Sequence, residues 1–125
     1  MPETMKQGVS VTGLYQYKGK VTRVVDADTV DAELDLGFGI KMNQRFRIAD
    51  YDAPETWRPR NEAKYKHSSL ATKRAVELLM DKDLLFRSSK IPGIYGRYGA
   101  TIWLEDGSDF AKVMISEGFT KREEY

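Results

Sequence analysis

The segment from Arg47 to Glu55 concentrates residue types that act together on anionic ligands. Arg47 stands five residues before Asp52, and Glu55 follows three residues later. Carboxylates held close together suit a hard cation, and a guanidinium fork matches two phosphate oxygens. These residue types at this spacing predict the floor of a site where a metal ion and a phosphate group meet.

The same segment predicts how its side chains are presented. Pro54 fixes its own φ and pushes the preceding residue into an extended conformation. We therefore predict a strand over Arg45–Ala49 that runs into a stiff turn. Alternation along the strand predicts Arg47 and Tyr51 on one face and Ile48 on the other.

Further charged residues are expected to join this segment. Asp28 follows the first predicted strand, and in a meander that turn lies at the same end of the sheet as the end of the third strand. Three carboxylates, Asp28, Asp52 and Glu55, then converge and repel one another unless a cation neutralises them. Arg97, at the start of the fifth strand, offers a second guanidinium. Each feature taken alone also fits a hairpin turn, a helix start or an ion pair on the rim.

Composition limits the class of protein and of metal site. A chain of 125 residues with 41% hydrophobic and 31% charged residues is typical of one soluble globular domain. There is no cysteine and a single histidine, so any metal must be held by oxygen, which favours calcium, magnesium or manganese. No apolar run approaches the roughly 18 residues of a membrane helix, and no leader is evident, so we expect no membrane association and a cytoplasmic protein.

Charge is unevenly distributed along the chain. Residues 24–40 contain five acids and no base, whereas residues 57–74 contain six bases and one acid. A basic segment beside an acidic one fits a polyanion held next to a metal site, although solvated surfaces have the same composition. Trp57 and Tyr65 lie among these bases, where their rings stack on nucleobases or pack onto the protein itself.

The pattern of the chain predicts a small barrel. Residues 1–14 read as a loose lead-in and residues 15–125 as a single domain. We predict strands over Tyr15–Val25, Thr29–Leu36, Ile40–Ala49, Leu84–Phe86 and Tyr98–Leu104. One helix should begin between residues 62 and 69 and end near residue 81, and a second should end at Gly118.

Several local expectations accompany this assignment. On the second strand Val30, Ala32, Leu34 and Leu36 should face inward. Residues 88–96 should form a loop, and Ser108 should cap the last helix. Five short strands with two helices bury their edges most economically as a closed barrel, so we predict an α+β, mainly β, OB-fold.

Taken together, these residues resemble the staphylococcal (micrococcal) nuclease family, also called thermonucleases. The resemblance covers about residues 20–121. Its anchors, in order, are Val25–Val30, Arg47–Thr56, Tyr95–Arg97 and Gly118–Phe119. It implies an OB-type barrel and a calcium-dependent phosphodiesterase.

The resemblance also assigns roles. It implies that Asp28 and Asp52 supply carboxylates to Ca2+ and that Ala53 supplies its backbone carbonyl. Glu55 resembles the general base that activates the attacking water.

Two arginines and a tyrosine complete the implied site. Arg47 and Arg97 resemble the pair that binds the scissile phosphate, and Tyr95 resembles an aromatic that contacts a neighbouring phosphate. The chain departs from the family where Ile94 replaces a frequent lysine. It also ends at Tyr125, where longer members continue through further tyrosines and a third helix.

The implied activity is hydrolysis of DNA and RNA with little sequence preference, leaving 3′-phosphate ends. Single-stranded substrates are favoured, and a monomer is expected. The alternative is an OB-fold module that binds nucleic acid with weak or no catalysis. Such a module should lack one or more of the acids and arginines named above, and this chain has them all.

Overall fold

The computed structural model describes residues 14–54, 62–91 and 98–121, with side chains described from residue 66 onward in the first helix. In chain order the elements are β1 (Gln16–Asp26), β2 (Thr29–Gly37), β3 (Ile40–Ile48), α1 (Glu62–Leu79), β4 (Leu84–Lys90), β5 (Tyr98–Trp103) and α2 (Phe110–Ser116). Strand and helix order match the prediction, with most boundaries within one or two residues.

The five strands close into a barrel in the order β1-β2-β3-β5-β4. The first three form an antiparallel meander, because each is joined to the next by a two-residue turn. β5 then pairs in parallel with the end of β3, and β4 pairs with both β5 and β1 to complete the closure. The predicted mainly-β OB-type barrel is confirmed. Its interior is filled by residues that include Val30, Phe46, Ile48, Phe86, Ala100 and Ile102.

The far end of the β2–β3 hairpin is less covered than alternation predicts. Val30, Ala32 and Leu34 are buried as expected, but Leu36 is exposed. The reason is that β5 pairs with β3 only from Phe46 to Ile48, so the far end of the hairpin extends past the packed interior. Inward orientation therefore buries a side chain only where a second layer covers it.

β4 is longer than predicted. It continues through Ser88–Lys90, which the sequence placed in a loop, because these residues pair with Tyr98–Ala100 of β5. The run is polar and lacks an alternating apolar signal, so its strand conformation comes from pairing within the sheet rather than from propensity.

The helices pack against the barrel largely as predicted. Ala71, Ala75 and Leu79 form the buried stripe of α1, which ends at Leu79 rather than near residue 81. The cap of α2 is Asp109, not Ser108: its carboxylate accepts the N–H groups of residues 111 and 112. An aspartate at this position offers a charged acceptor to the helix N-terminus.

Gly118 stops α2 in the left-handed conformation with φ of 85°, as predicted. Within the described ranges, neither helix has the length and apolarity needed to cross a membrane.

Candidate functional site

The β1–β2 turn and the end of β3 meet at one end of the barrel, as the meander predicts. The backbone N–H of Ile48 donates to the carbonyl oxygen of Asp28 over 2.7 Å, and Thr29 pairs with Arg47 across the two strands. Asp28 and Arg47 are distant in sequence, but the hairpin register places them side by side.

Arg47 lies between two carboxylates. Its Nη2 is 2.6 Å from Oδ1 of Asp52 and 3.4 Å from Oδ2 of Asp28. The two acids differ in environment, since the Asp28 side chain is 14% exposed and the Asp52 side chain 75%. The structure therefore brings together three of the predicted site residues around one guanidinium nitrogen.

Asp28 is held in a fixed orientation by two further hydrogen bonds. Its Oδ2 accepts the backbone N–H of Ala53 over 3.1 Å, and its Oδ1 accepts the hydroxyl of Thr29, also over 3.1 Å. Ala53, a predicted metal ligand, thus lies against the carboxylate expected to share the metal. Sequence reasoning missed Thr29, although a hydroxyl directly after an aspartate in a turn is a recognisable signal.

The loop after β3 turns earlier than the proline predicts. β3 ends at Ile48, and Asp50 adopts φ of 58°, which breaks the alternation. Tyr51, which alternation predicts on the same exposed face as Arg47, is instead buried, with 4% exposure. The turn needs a left-handed residue, and aspartate is among the few that adopt this conformation readily.

The C-terminal segment clamps this loop. The hydroxyl of Tyr51 donates to the carbonyl oxygen of Phe119 over 2.5 Å, and the N–H of Lys121 donates to the carbonyl of Asp52 over 3.2 Å. Burial, with a smaller contribution from the charge of Asp28, raises the pKa of Tyr51 well above its usual range. Tyr51 therefore stays protonated, and able to donate, to a higher pH than an exposed tyrosine does. No local pattern in the sequence indicates this clamp.

A cleft of about 380 Å³ opens beside the arginine. Its lining includes Arg47, Tyr51, Asp52, Ser89, Lys90 and Gly99. A Cβ on Gly99 would lie 3.1 Å from the Ser89 hydroxyl and 3.4 Å from the Arg47 carbonyl, so a side chain at this position would crowd both strands. The cleft has a cationic residue on each of two strands, β3 and β4, which suits an extended anion.

A larger groove, of about 620 Å³, lies elsewhere on the barrel and contains none of the predicted site residues. It is lined by three lysines and four acids, and two of the lysines lie near acids: Lys20 is 3.6 Å from Asp83 and Lys41 is 3.8 Å from Glu33. It therefore offers no concentration of one charge to a ligand.

Three predicted residues, Glu55, Tyr95 and Arg97, lie outside the described residues. Among those that are described, no three acids or histidines cluster closely enough to form a metal site. The donors that do converge, the carboxylates of Asp28 and Asp52, are oxygen ligands of the kind that calcium prefers, and a single arginine is shared between them. The donor chemistry thus fits a hard cation.

Comparison with known proteins gives the family. The family model described as "Staphylococcal nuclease homologue" matches residues 45–125, which include every predicted site residue except Asp28. A search of curated proteins finds no match. Asp28 precedes the matched region, and hairpin geometry is what joins it to Arg47 and Asp52. With this match over more than half of its length and a five-stranded barrel that agrees with it, the chain belongs to the staphylococcal nuclease homologue family.

Proposed function

We propose that the protein is a calcium-dependent nuclease that hydrolyses phosphodiester bonds in DNA and RNA with little sequence preference and leaves 3′-phosphate ends. Family membership supports the general class of activity. The observation that carries the proposal is Arg47 beside two convergent carboxylates at the mouth of a cleft.

Arg47 is suited to bind the scissile phosphate. Its shortest contacts with Asp28 and Asp52 both use Nη2, and among the described residues its Nε and Nη1 donate no hydrogen bond to an acid. A guanidinium that keeps part of its fork free can donate to two phosphate oxygens and stabilise the negative charge that develops on them. Asp28 and Asp52 meanwhile hold the arginine at the cleft.

The acids are proposed to hold calcium, with Asp28, Asp52 and the carbonyl of Ala53 as ligands. When bound, calcium supplies neutralisation of the phosphate charge and promotes ionisation of a water molecule. Glu55 is proposed to take the proton from the attacking water. As the new P–O bond forms, the bond from phosphorus to the 5′-oxygen breaks, and the leaving oxygen takes up a proton.

Arg97 and Tyr95 are proposed as the remaining substrate contacts. Arg97 would give the phosphate a second guanidinium, and Tyr95 would contact a neighbouring phosphate. Lys90, on the described wall of the cleft, gives further positive charge along the path that a strand of nucleic acid would follow.

A cleavage assay tests this proposal directly. Single-stranded DNA is incubated with the protein and calcium, with and without a chelator, and the assay is repeated with Glu55→Gln. Glu77→Gln, on the outer face of α1, is the matched control. We expect cleavage that needs calcium, persists in the control and falls by several powers of ten in Glu55→Gln. End analysis of the products should give 3′-phosphates.

Two results would count against the proposed nuclease activity. Cleavage that survives both the chelator and Glu55→Gln would exclude the mechanism. Strand binding without cleavage in any divalent metal, measured by fluorescence anisotropy, would favour the non-catalytic binding module instead.

A further inference from the structure

The two strands beyond β3 in the barrel, β5 and β4, carry positive charge without any acid. Their charged residues are Arg87 and Lys90, and neither strand contains an aspartate or a glutamate. Neither cation forms an ion pair with any residue in the part of the chain that the structure describes. Unpaired cations next to a cleft that suits a phosphate group favour a polyanion.

Alternation shows which side chains of β4 point outward. The register pairs Phe86 of β4 with Ile102 of β5, and both of these side chains are buried in the interior. Arg87 and Ser89 lie at the intervening positions of β4 and are exposed. Because successive side chains of a strand point to opposite faces, Arg87 and Ser89 lie on the outer face of the barrel.

Three strands bring one residue each into a single row on this outer face. The register pairs Arg47 of β3 with Gly99 of β5, and Gly99 in turn with Ser89 of β4. All three residues line the cleft beside the arginine. Since neighbouring strands lie about 4.8 Å apart, Arg47 and Ser89 lie on either side of a residue that has no side chain.

Gly99 leaves a space that a side chain would fill. A Cβ at this position would lie only 3.1 Å from the hydroxyl oxygen of Ser89, so this hydroxyl lies directly beside the space above the glycine. The Ser89 hydroxyl has no hydrogen-bond partner among the described residues. An exposed hydroxyl without a protein partner can donate to a phosphate oxygen.

We propose that a single strand of nucleic acid runs from Arg47 across the outer face of β5 and β4. The phosphate next to the scissile one lies above Gly99 and accepts a hydrogen bond from Ser89, and a further phosphate lies near Arg87. Because Arg47 must hold one phosphate for the next to reach Ser89, this path rests on the proposed function of the cleft.

Charge disfavours the opposite direction, from β3 across β2. The outward residues of β2 include Asp31, Glu33 and Asp35, which alternate with buried apolar residues. Two of these acids lie beside basic residues of β3, which are therefore already engaged. A strand that crossed β2 would meet three carboxylates, whereas a strand that crosses β5 and β4 meets none.

The salt dependence of binding tests this path. The affinity for a fluorescent single-stranded oligothymidylate is measured by anisotropy over a range of sodium chloride concentrations, in a chelator that suppresses calcium-dependent cleavage. Arg87→Gln removes one phosphate contact and should lower the slope of log Kd against log salt by about 0.7. Arg23→Gln, the matched control, removes the same charge from β1 beside the acidic strand and should change the slope much less.

Neutral substitutions test the contact above Gly99. Ser89→Ala should weaken binding of the same oligothymidylate about three- to tenfold, because a hydrogen bond to a charged phosphate is lost. Gly99→Ala should weaken it by a similar factor, because its methyl group occupies the space beside the hydroxyl. Ser88→Ala, at the adjacent serine on the other face of β4, is the control and should have little effect. Circular dichroism checks that all three variants are folded.

Steady-state cleavage assays separate binding from chemistry. Ser89→Ala should raise KM and leave kcat nearly unchanged, because the residue contacts a phosphate that does not react. A fall in kcat with KM unchanged would overturn the assignment of Ser89 to the neighbouring phosphate.

The binding measurements distinguish failure of this path from failure of the nuclease function. Equal salt slopes for Arg87→Gln and Arg23→Gln would overturn the path even if the protein cleaves DNA, as would Ser89→Ala binding as tightly as the wild type. Absence of strand binding by the wild-type protein would overturn it as well. The expected shifts in a protein that cleaves nothing would support the path and reject the nuclease function.

Discussion

Two arginines on β3 lie on the same face of the same strand and are bound in different ways. Arg45 donates through Nε and Nη2 to the two oxygens of Asp31, over 2.7 and 3.2 Å. Arg47 contacts two different carboxylates through one nitrogen. The first arginine donates through two nitrogens to a single neighbour. The second contacts two acids through Nη2, and no hydrogen bond joins its Nε or Nη1 to an acid in the part of the chain that the structure describes.

The acids that bind the two arginines differ as well. Asp31 lies within β2, whereas Asp28 and Asp52 lie in turns at the end of the barrel. Arg45 and Asp31 use their donors and acceptors on each other, and an exposed ion pair of this kind contributes little to stability. Arg47, which lies between two acids in turns, can bind a further anion. The geometry of the pair, and not the residue type, distinguishes the candidate site from the surface.

The largest expected effect is the difference in kcat/KM between the variants that remove Arg47 and Arg45. Arg47→Ala should lower kcat/KM for single-stranded DNA by at least about 10²- to 10³-fold, because it removes the donor that we propose for the transition-state charge. Arg45→Ala should change it by less than about threefold, because its fork already binds Asp31. Steady-state cleavage assays in calcium measure both. Equal losses would show that net charge on this face matters rather than the position of Arg47.

The acids should differ in calcium binding. Asp28→Asn removes the negative charge of a proposed ligand and should weaken calcium affinity roughly tenfold or more. Asp31→Asn should leave it unchanged. Isothermal titration calorimetry reads out binding separately from cleavage, and a similar loss in both variants would contradict the assignment of Asp28 as a ligand.

The clamp on the Asp52 loop should have a moderate effect. Tyr51→Phe removes the donor to the Phe119 carbonyl and should lower the free energy of unfolding by about 1–2 kcal/mol. Tyr15→Phe, at an exposed tyrosine, is the control and should have almost no effect. Urea denaturation measures both. A null result for Tyr51→Phe would mean that packing alone holds the loop of Asp52.

The smallest expected effect concerns pH. The hydrogen bond from Arg45 lowers the pKa of Asp31 below its ordinary value of 3.8, outweighing a small opposing effect of burial. Its contribution to stability is therefore complete above pH 3.8 and is lost as pH falls through the lower, folded-state pKa. Unfolding free energies of wild type and Asp31→Asn should differ slightly at pH 7 and converge once the pH has fallen below the folded-state pKa of Asp31. A difference that grew as the pH fell would reverse the sign of this coupling.

Sequence reasoning reached the order of the elements and the meeting of Asp28 with Arg47, because short turns in a meander determine which ends of the strands are neighbours. It did not predict that Arg47 contacts both Asp28 and Asp52, because that arrangement depends on the left-handed turn at Asp50. The extent of β4 was also missed, since polar Ser88–Lys90 become a strand only by pairing with β5. Alternation identified the inward face of β2 but could not show that Leu36 lies past the interior.

The hydrogen bond between Tyr51 and Phe119 joins residues that are 68 positions apart. Closing so long a loop costs more conformational entropy than closing the β2–β3 hairpin. A chain that is still emerging from the ribosome carries Arg47 and Asp52 well before the segment that holds their loop. Until Phe119 has been synthesised, the molecule therefore has these residues without the contact that fixes the loop between them and the C-terminal segment.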